Sequence, residues 1–158
     1  MAARLRHRVR MHSGSTAPEA LARRRILIVD NHPLVRRGLT ALINNEPDLI
    51  VCTAVATQQA GLEAIATSRP DLVITDLALD DGDGLGLVRE IRAGHEGLPV
   101  LVLTMHEAPA PARRAFRAGA RGYVSKSEVG ETLLLAIRCV LGGEKFTSPK
   151  LREGLDLE

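Results

Sequence analysis

The sequence predicts an α/β fold in which helices pack on both faces of a five-stranded, mostly parallel sheet. Three observations predict it. From Arg25 onward, short apolar runs alternate with segments of helical period, the signature of repeated βα units around a parallel sheet. Proline and glycine punctuate the joints, at Pro33, Pro70, Pro99, Gly119 and Gly122. Most of the apolar runs also end on a polar residue able to carry chemistry, namely Asp30, Asp76, Thr104 and Lys126.

The first strand reads Ile26 to Val29. Pro33 then suits the first turn of a helix through Leu34, Val35, Leu39, Leu42 and Ile43, which Asn44, Asn45 and Pro47 end. A second strand, Leu49 to Ala54, precedes a helix near Gln58 to Ser68. Pro70 resets the chain for a third strand, Leu72 to Thr75, with Asp76 at its end. The loop from Leu79 to Gly84 leads into a helix from Leu85 to Ala93, whose free amides Asp83 is placed to cap. Pro99 opens a fourth strand, Val100 to Thr104, followed by an alanine-rich helix from Pro109 to Ala118. Gly119 and Gly122 frame the turn into a fifth strand around Tyr123 to Ser125, and a last helix runs from Val129 to Leu141.

Length and composition bound the rest. The 158 residues, 45% of them hydrophobic, suffice for one ordinary domain with some chain left over. Residues 1–24 read as a disordered basic extension, 25–146 as the folded domain, and 147–158 as the start of a linker or an appended tail, with Gly142, Gly143 and Pro149 marking the change. The net charge of +2 hides an asymmetry, because residues 1–25 carry seven Arg and one Glu while the remainder is net −4. That leader has no aromatic residues to interleave with bases, so a nucleic-acid grip is the weaker reading, and Met11 is an alternative start. No run of about 18 apolar residues suggests a membrane span, and no signal-peptide core follows the basic start, which points to the cytoplasm. Cys52 and Cys139 lie in apolar stretches without CxxC spacing and read as reduced core thiols.

Open doubly wound sheets bind their ligands outside the carboxyl ends of the strands. In the flavodoxin-like (βα)5 order 2-1-3-4-5, the strands ending at Asp30-Asn31, Asp76, Thr104 and Lys126 are contiguous, so these side chains converge on one rim. Each alone reads as a helix cap or a solvated loop residue; their combination suits phosphoryl transfer. A carboxylate nucleophile, a second acid to help hold Mg²⁺, a hydroxyl and a cation for the transferred oxygens are the parts required. Asp76 is the candidate nucleophile, and Asp30, Asp76 and the Ala78 carbonyl suffice for Mg²⁺, which keeps several of its waters.

These residues resemble a known family, the receiver domains of two-component response regulators, and within it the NarL type that precedes a LuxR-type helix-turn-helix. The resemblance runs from Arg25 to Pro149 and rests on Ile26-Leu27-Ile28-Val29-Asp30-Asn31-His32-Pro33, on Asp71 to Leu77, on Val100 to His106 and on Ala118 to Lys126. It implies that a sensor histidine kinase phosphorylates Asp76, that Thr104 and Lys126 contact the phosphoryl group, that Tyr123 is the aromatic switch, and that Asp30 supports the metal. It implies transcription regulation through a DNA-binding domain absent from this chain, and no catalysis beyond the protein's own phosphorylation and dephosphorylation.

Two departures stand out. Asn31 replaces the acid that coordinates Mg²⁺ directly in the family; an amide oxygen coordinates without charge, so weakened Mg²⁺ binding is expected. Asp80 stands where the family often has Pro, and with Asp81 and Asp83 it makes an acidic loop that lacks EF-hand spacing and reads as a solvated turn. Gln58, Gln59 and the histidines show no ligand spacing, and His106 is a weak candidate for tuning dephosphorylation. The last helix is apolar around more of its circumference than one sheet contact needs, so a homodimer face or an effector docking surface is expected there. Two alternatives compete: an atypical receiver working as a phosphorylation-independent interaction module, and an aspartyl-phosphate hydrolase of the haloacid dehalogenase kind. The second needs an Asp two residues beyond the nucleophile, where Ala78 stands.

Overall fold

The computed structural model describes residues 22–152, 154 and 155. Most of the expected basic extension, residues 1–21, lies outside the described residues. Five parallel strands form the body of the sheet: β1 (Arg24–Val29), β2 (Leu49–Val55), β3 (Leu72–Thr75), β4 (Val100–Thr104) and β5 (Gly122–Ser125). They lie in the order 2-1-3-4-5. The helices α1 (Pro33–Asn44), α2 (Gln58–Ser68), α3 (Gly84–Gly94), α4 (Pro109–Ala118) and α5 (Glu131–Leu141) connect them.

Strand alternation divides the core into two. Ile26, Ile28, Leu72, Ile74, Leu101, Leu103 and Val124 pack against Leu39 and Ile43 of α1 and against Leu133 and Ile137 of α5. Leu27, Val29, Val73, Val100, Val102 and Tyr123 face α2, α3 and α4. Strands buried on both sides need no polar alternate residue, which is why they read as continuous apolar runs. Each such side chain contributes about 1.5–3 kcal/mol of transfer free energy on burial.

The N-terminus of α3 presses on the end of β3. The Gly84 amide donates to the Leu77 carbonyl at 2.8 Å, and a Cβ on Gly84 would collide with the Asp76 carbonyl, so only glycine permits this approach.

Four features depart from the sequence reading. The β3–α3 loop contains a small antiparallel ladder, Ala78–Leu79 against Gly82–Asp83. A 3₁₀ turn, Lys126–Glu128, follows β5, and α5 begins at Glu131, two positions later than expected from Val129. Cys52 and Cys139 are free but only half-buried. The segment expected to open a linker at 147 is packed instead. Phe146–Thr147 forms a sixth strand, β6, parallel to β5, and α6 (Pro149–Arg152) follows. Gly143, at φ +89°, turns the chain back after α5. Pro149 then opens a helix turn, a position that tolerates its missing amide. Phe146 joins the α1/α5 core, while Leu151 and Leu155 are buried in the other.

Candidate functional site

Backbone bonds between strand ends set the two acids side by side. The Asp30 amide donates to the Val55 carbonyl and the Asp76 amide to the Val29 carbonyl, each at 3.0 Å, so both residues leave the sheet at one level. Lys126, the first residue after β5, reaches back over the rim. Its Nζ donates to Asp76 Oδ2 at 2.7 Å and lies 2.7 Å from Asp30 Oδ2. All three side chains are nearly closed to solvent, at 7% exposure for Lys126, 3% for Asp30 and 5% for Asp76. Burial opposes the Lys126 charge, but its bonds to Asp30 and Asp76 and their negative charge outweigh that, and its pKa is raised.

The carboxylates are oriented on their far sides as well. Asp76 Oδ1 accepts from the Leu77 amide at 2.7 Å, leaving Oδ2 for the rim. Asp30 Oδ1 accepts from the His32 amide at 2.9 Å and lies 2.8 Å from His32 Nδ1. That imidazole is also 3.9 Å from Asp76 Oδ2 and 3.5 Å from Lys126 Nζ. His32 therefore belongs to the site, although no ligand spacing marked it in the sequence; its place two residues past a strand-end acid was the available signal. Asp30, His32 and Asp76 each offer an atom within 4.8 Å of the others, close enough to share one cation.

Thr104 ends β4, fully buried, and its hydroxyl oxygen accepts from the His106 amide at 3.3 Å. It makes no hydrogen bond to Asp76, so the hydroxyl shares the rim without touching the carboxylate. Tyr123 is also fully buried, and its hydroxyl donates to the His106 carbonyl at 2.8 Å. Burial first, and the Asp76 charge second, push its phenol pKa far up. Glu107 in the same β4–α4 loop accepts from the hydroxyls of Ser125 and Ser127, each at 2.7 Å, tying the loop to the turn that carries Lys126.

The acidic loop is an exposed turn, as expected, but its acids also make specific bonds. Asp81 accepts from the Gln58 and Gln59 amides at 2.8 and 3.0 Å, capping α2 from outside its own chain segment. Asp83 accepts from the Gly86 amide at 2.7 Å, the α3 cap expected from sequence. Asp80 accepts from Asn31 Nδ2 at 2.9 Å. Asn31 is thus turned toward the loop, and its Oδ1 is buried without a partner. Ala78 is exposed at the loop's start, with its amide 3.4 Å from Asp76 Oδ1.

A divalent cation fits this donor set. Two buried carboxylates share one ammonium, leaving an excess negative charge, and an orphaned amide oxygen lies beside them in the chain. Hard oxygen donors of this kind suit Mg²⁺. A surface cavity of about 590 Å³ contains none of these residues; it is lined by Arg24, Asp71, His95 and Arg121 among others, toward the opposite strand ends.

The chain is similar to known proteins. The family model described as the response regulator receiver domain matches residues 26–138. The transcriptional regulatory protein UhpA of Salmonella typhimurium is 29% identical over 126 residues, covering 80% of this chain and 63% of UhpA. The oxygen regulatory protein NreC of Staphylococcus aureus strain JH9 is 35% identical over 132 residues, covering 83% and 61%. The chain thus spans under two thirds of the length of these curated relatives. Among solved structures, a LuxR-family two-component response regulator from Aurantimonas sp. SI85-9A1 superposes with a TM-score of 0.80 at 36% identity, over 84% of this chain and 94% of that one. The isolated REC domain of RcsB from Salmonella enterica serovar Typhimurium, solved with the phosphomimetic BeF3-, gives 0.78 at 25% identity, over 85% and 99%. Among the described residues no helix is long and apolar enough to cross a membrane. A rim of Asp30, Asp76 and Lys126 on a 2-1-3-4-5 sheet, matched by that family model over most of the chain, places this protein in the response regulator receiver domain family, among receivers of the NarL/LuxR type.

Proposed function

We propose that Asp76 accepts a phosphoryl group from a sensor histidine kinase in the cytoplasm, and that the domain relays this as a conformational signal controlling transcription. The observation that carries the reading is the Lys126 ammonium held 2.7 Å from both Asp76 Oδ2 and Asp30 Oδ2 in a nearly solvent-free rim. Oδ1 is engaged by the Leu77 amide and Oδ2 by Lys126 at the rim, so Oδ2 is the attacking oxygen, released as the ammonium passes to the phosphoryl oxygens. It forms the new P–O bond as the P–N bond of a phosphohistidine donor breaks, and the imidazole nitrogen leaves with the electron pair.

Lys126 then balances the added charge on the phosphoryl oxygens, and the Thr104 hydroxyl gives up the His106 amide to bind another of them. Movement of Thr104 pulls on the β4–α4 loop, whose His106 carbonyl holds the Tyr123 hydroxyl, so phosphorylation is felt at the switch tyrosine. Mg²⁺, held by Asp30, Asp76, Asn31 and the Ala78 carbonyl, would neutralise charge developing during the transfer. Phosphorylation favours a homodimer through the apolar α5 face, where Leu135 is 60% exposed. DNA is reached through an effector domain in the chain length that the relatives have beyond this one.

Incubation with a small phosphodonor and Mg²⁺, followed by intact mass measurement, tests the reading. Wild type gains one phosphate and Asp76→Ala gains none; equal gain in both, or gain in neither, overturns it.

A further inference from the structure

We infer that Asn31 and Asp80 work as one unit toward the divalent cation, with Asp80 both orienting the Asn31 amide and supplying the negative charge that the amide lacks. The inference rests on the phosphoryl-accepting reading of the same site.

The orientation follows from the amide's own geometry. A planar carboxamide directs its nitrogen and its oxygen to opposite sides. Asn31 Nδ2 donates to Asp80 Oδ1 at 2.9 Å, so the amide oxygen is turned away from Asp80. The reverse rotamer would set that oxygen against a carboxylate and lose the bond. In the observed position, Asn31 Oδ1 is buried and has no hydrogen-bond partner. A buried acceptor without a partner is costly, and few native ones lack an explanation. Asn31 directly follows Asp30, whose carboxylate meets Lys126 and His32 and lies in the cation-sized cluster with Asp76. A cation satisfies the amide oxygen.

Asp80 is held where it can do this. Its neighbours Asp81 and Asp83 cap α2 and α3, pinning the small loop ladder between two helices. Asp80 alone of the three acids is left without a helix to cap, and its partner is Asn31. The carboxylate missing at position 31 thus stands one hydrogen bond further out, at a position in another loop.

Direct measurement of divalent binding to the unphosphorylated full chain tests this, with Mg²⁺ followed by amide chemical shifts and Mn²⁺ by water-proton relaxation. Asp80→Ala should weaken both cations by about fivefold to tenfold, because it removes both a unit charge acting through a water-like dielectric and the acceptor that orients Asn31. Asp80→Asn keeps an acceptor for Asn31 but loses the charge, so its loss should be smaller, about threefold, and should shrink further in high salt. The exchange Asn31→Asp with Asp80→Asn should bind at least as tightly as wild type. Asp80→Ala within twofold of wild type, in a protein that still binds cation and takes up phosphate, overturns this inference and leaves the proposed function standing. A wild type that binds neither Mg²⁺ nor phosphate overturns both.

Discussion

Among the described residues, Lys126 and Arg138 each hold two carboxylates, in opposite surroundings. Lys126 joins Asp30 and Asp76 at the strand ends, with all three side chains at 7% exposure or less. Arg138 on α5 joins Glu46 and Asp48 between α1 and β2, at 3.3 and 2.8 Å, with exposures of 42%, 27% and 44%. The charge count is identical and the distances are comparable. Water absorbs the surplus negative charge around Arg138, so that group is a surface clamp between chain segments 90 residues apart. At the rim the carboxylates and the ammonium are nearly closed to solvent, so the surplus is poorly screened and becomes a standing demand for a cation or a transferable group. Ion pairing alone does not mark a site; an unbalanced ion pair in a dry place does.

The comparison can be broken by experiment, and the largest effect belongs to the dry group. Lys126→Ala leaves two buried carboxylates facing each other, and should lower the unfolding free energy by about 3–5 kcal/mol in Mg²⁺-free buffer, read from urea denaturation. A loss below about 1 kcal/mol would put both groups in one class. Next, saturating Mg²⁺ should stabilise wild type by about 1–3 kcal/mol, read as a rise in Tm, because it binds only the folded rim. Asp76→Ala should lose most of that gain and Arg138→Ala none of it.

Smaller effects sharpen the contrast. Arg138→Ala should cost under about 1 kcal/mol, less still in high salt, because its partners are open to screening. The smallest concerns acid. A hydrogen bond from Arg138 holds the Asp48 carboxyl below its ordinary 3.8, despite a small opposing effect of burial. A depressed carboxyl contributes stability above its unfolded pKa and loses it as pH falls through the folded one. The difference between wild type and Arg138→Ala should therefore be constant above about pH 4 and vanish below it, as denaturant midpoints across that range would show.

The sheet and its order were readable because periodicity and punctuation are local signals, as in the unbroken apolar run Val100 to Leu103 after Pro99. The strand-end acids and Lys126 were readable because the topology brings strand ends together whatever lies between them. What escaped depends on side chains meeting across long stretches of chain. Asp81 caps a helix 23 residues upstream and Asp80 meets Asn31 across 49, and no spacing rule announces either pair. His32 was overlooked for the opposite reason: it sits so near Asp30 that it forms no ligand pattern separate from it. The packing of Phe146, Leu151 and Leu155 escaped because Gly142, Gly143 and Pro149 signal a break, and the same residues also make a tight reversal into one more strand.

Lys126 comes from the last of the five central strands, yet it completes a site begun by the first, reaching over β3 and β4 to Asp30. While a ribosome is still extending the chain, Asp30 and Asp76 exist without their counter-charge. The rim is assembled only once the far side of the sheet has docked, so a partly made or partly unravelled copy has no finished acceptor to offer. Chemical competence here doubles as a certificate that folding has run to its end.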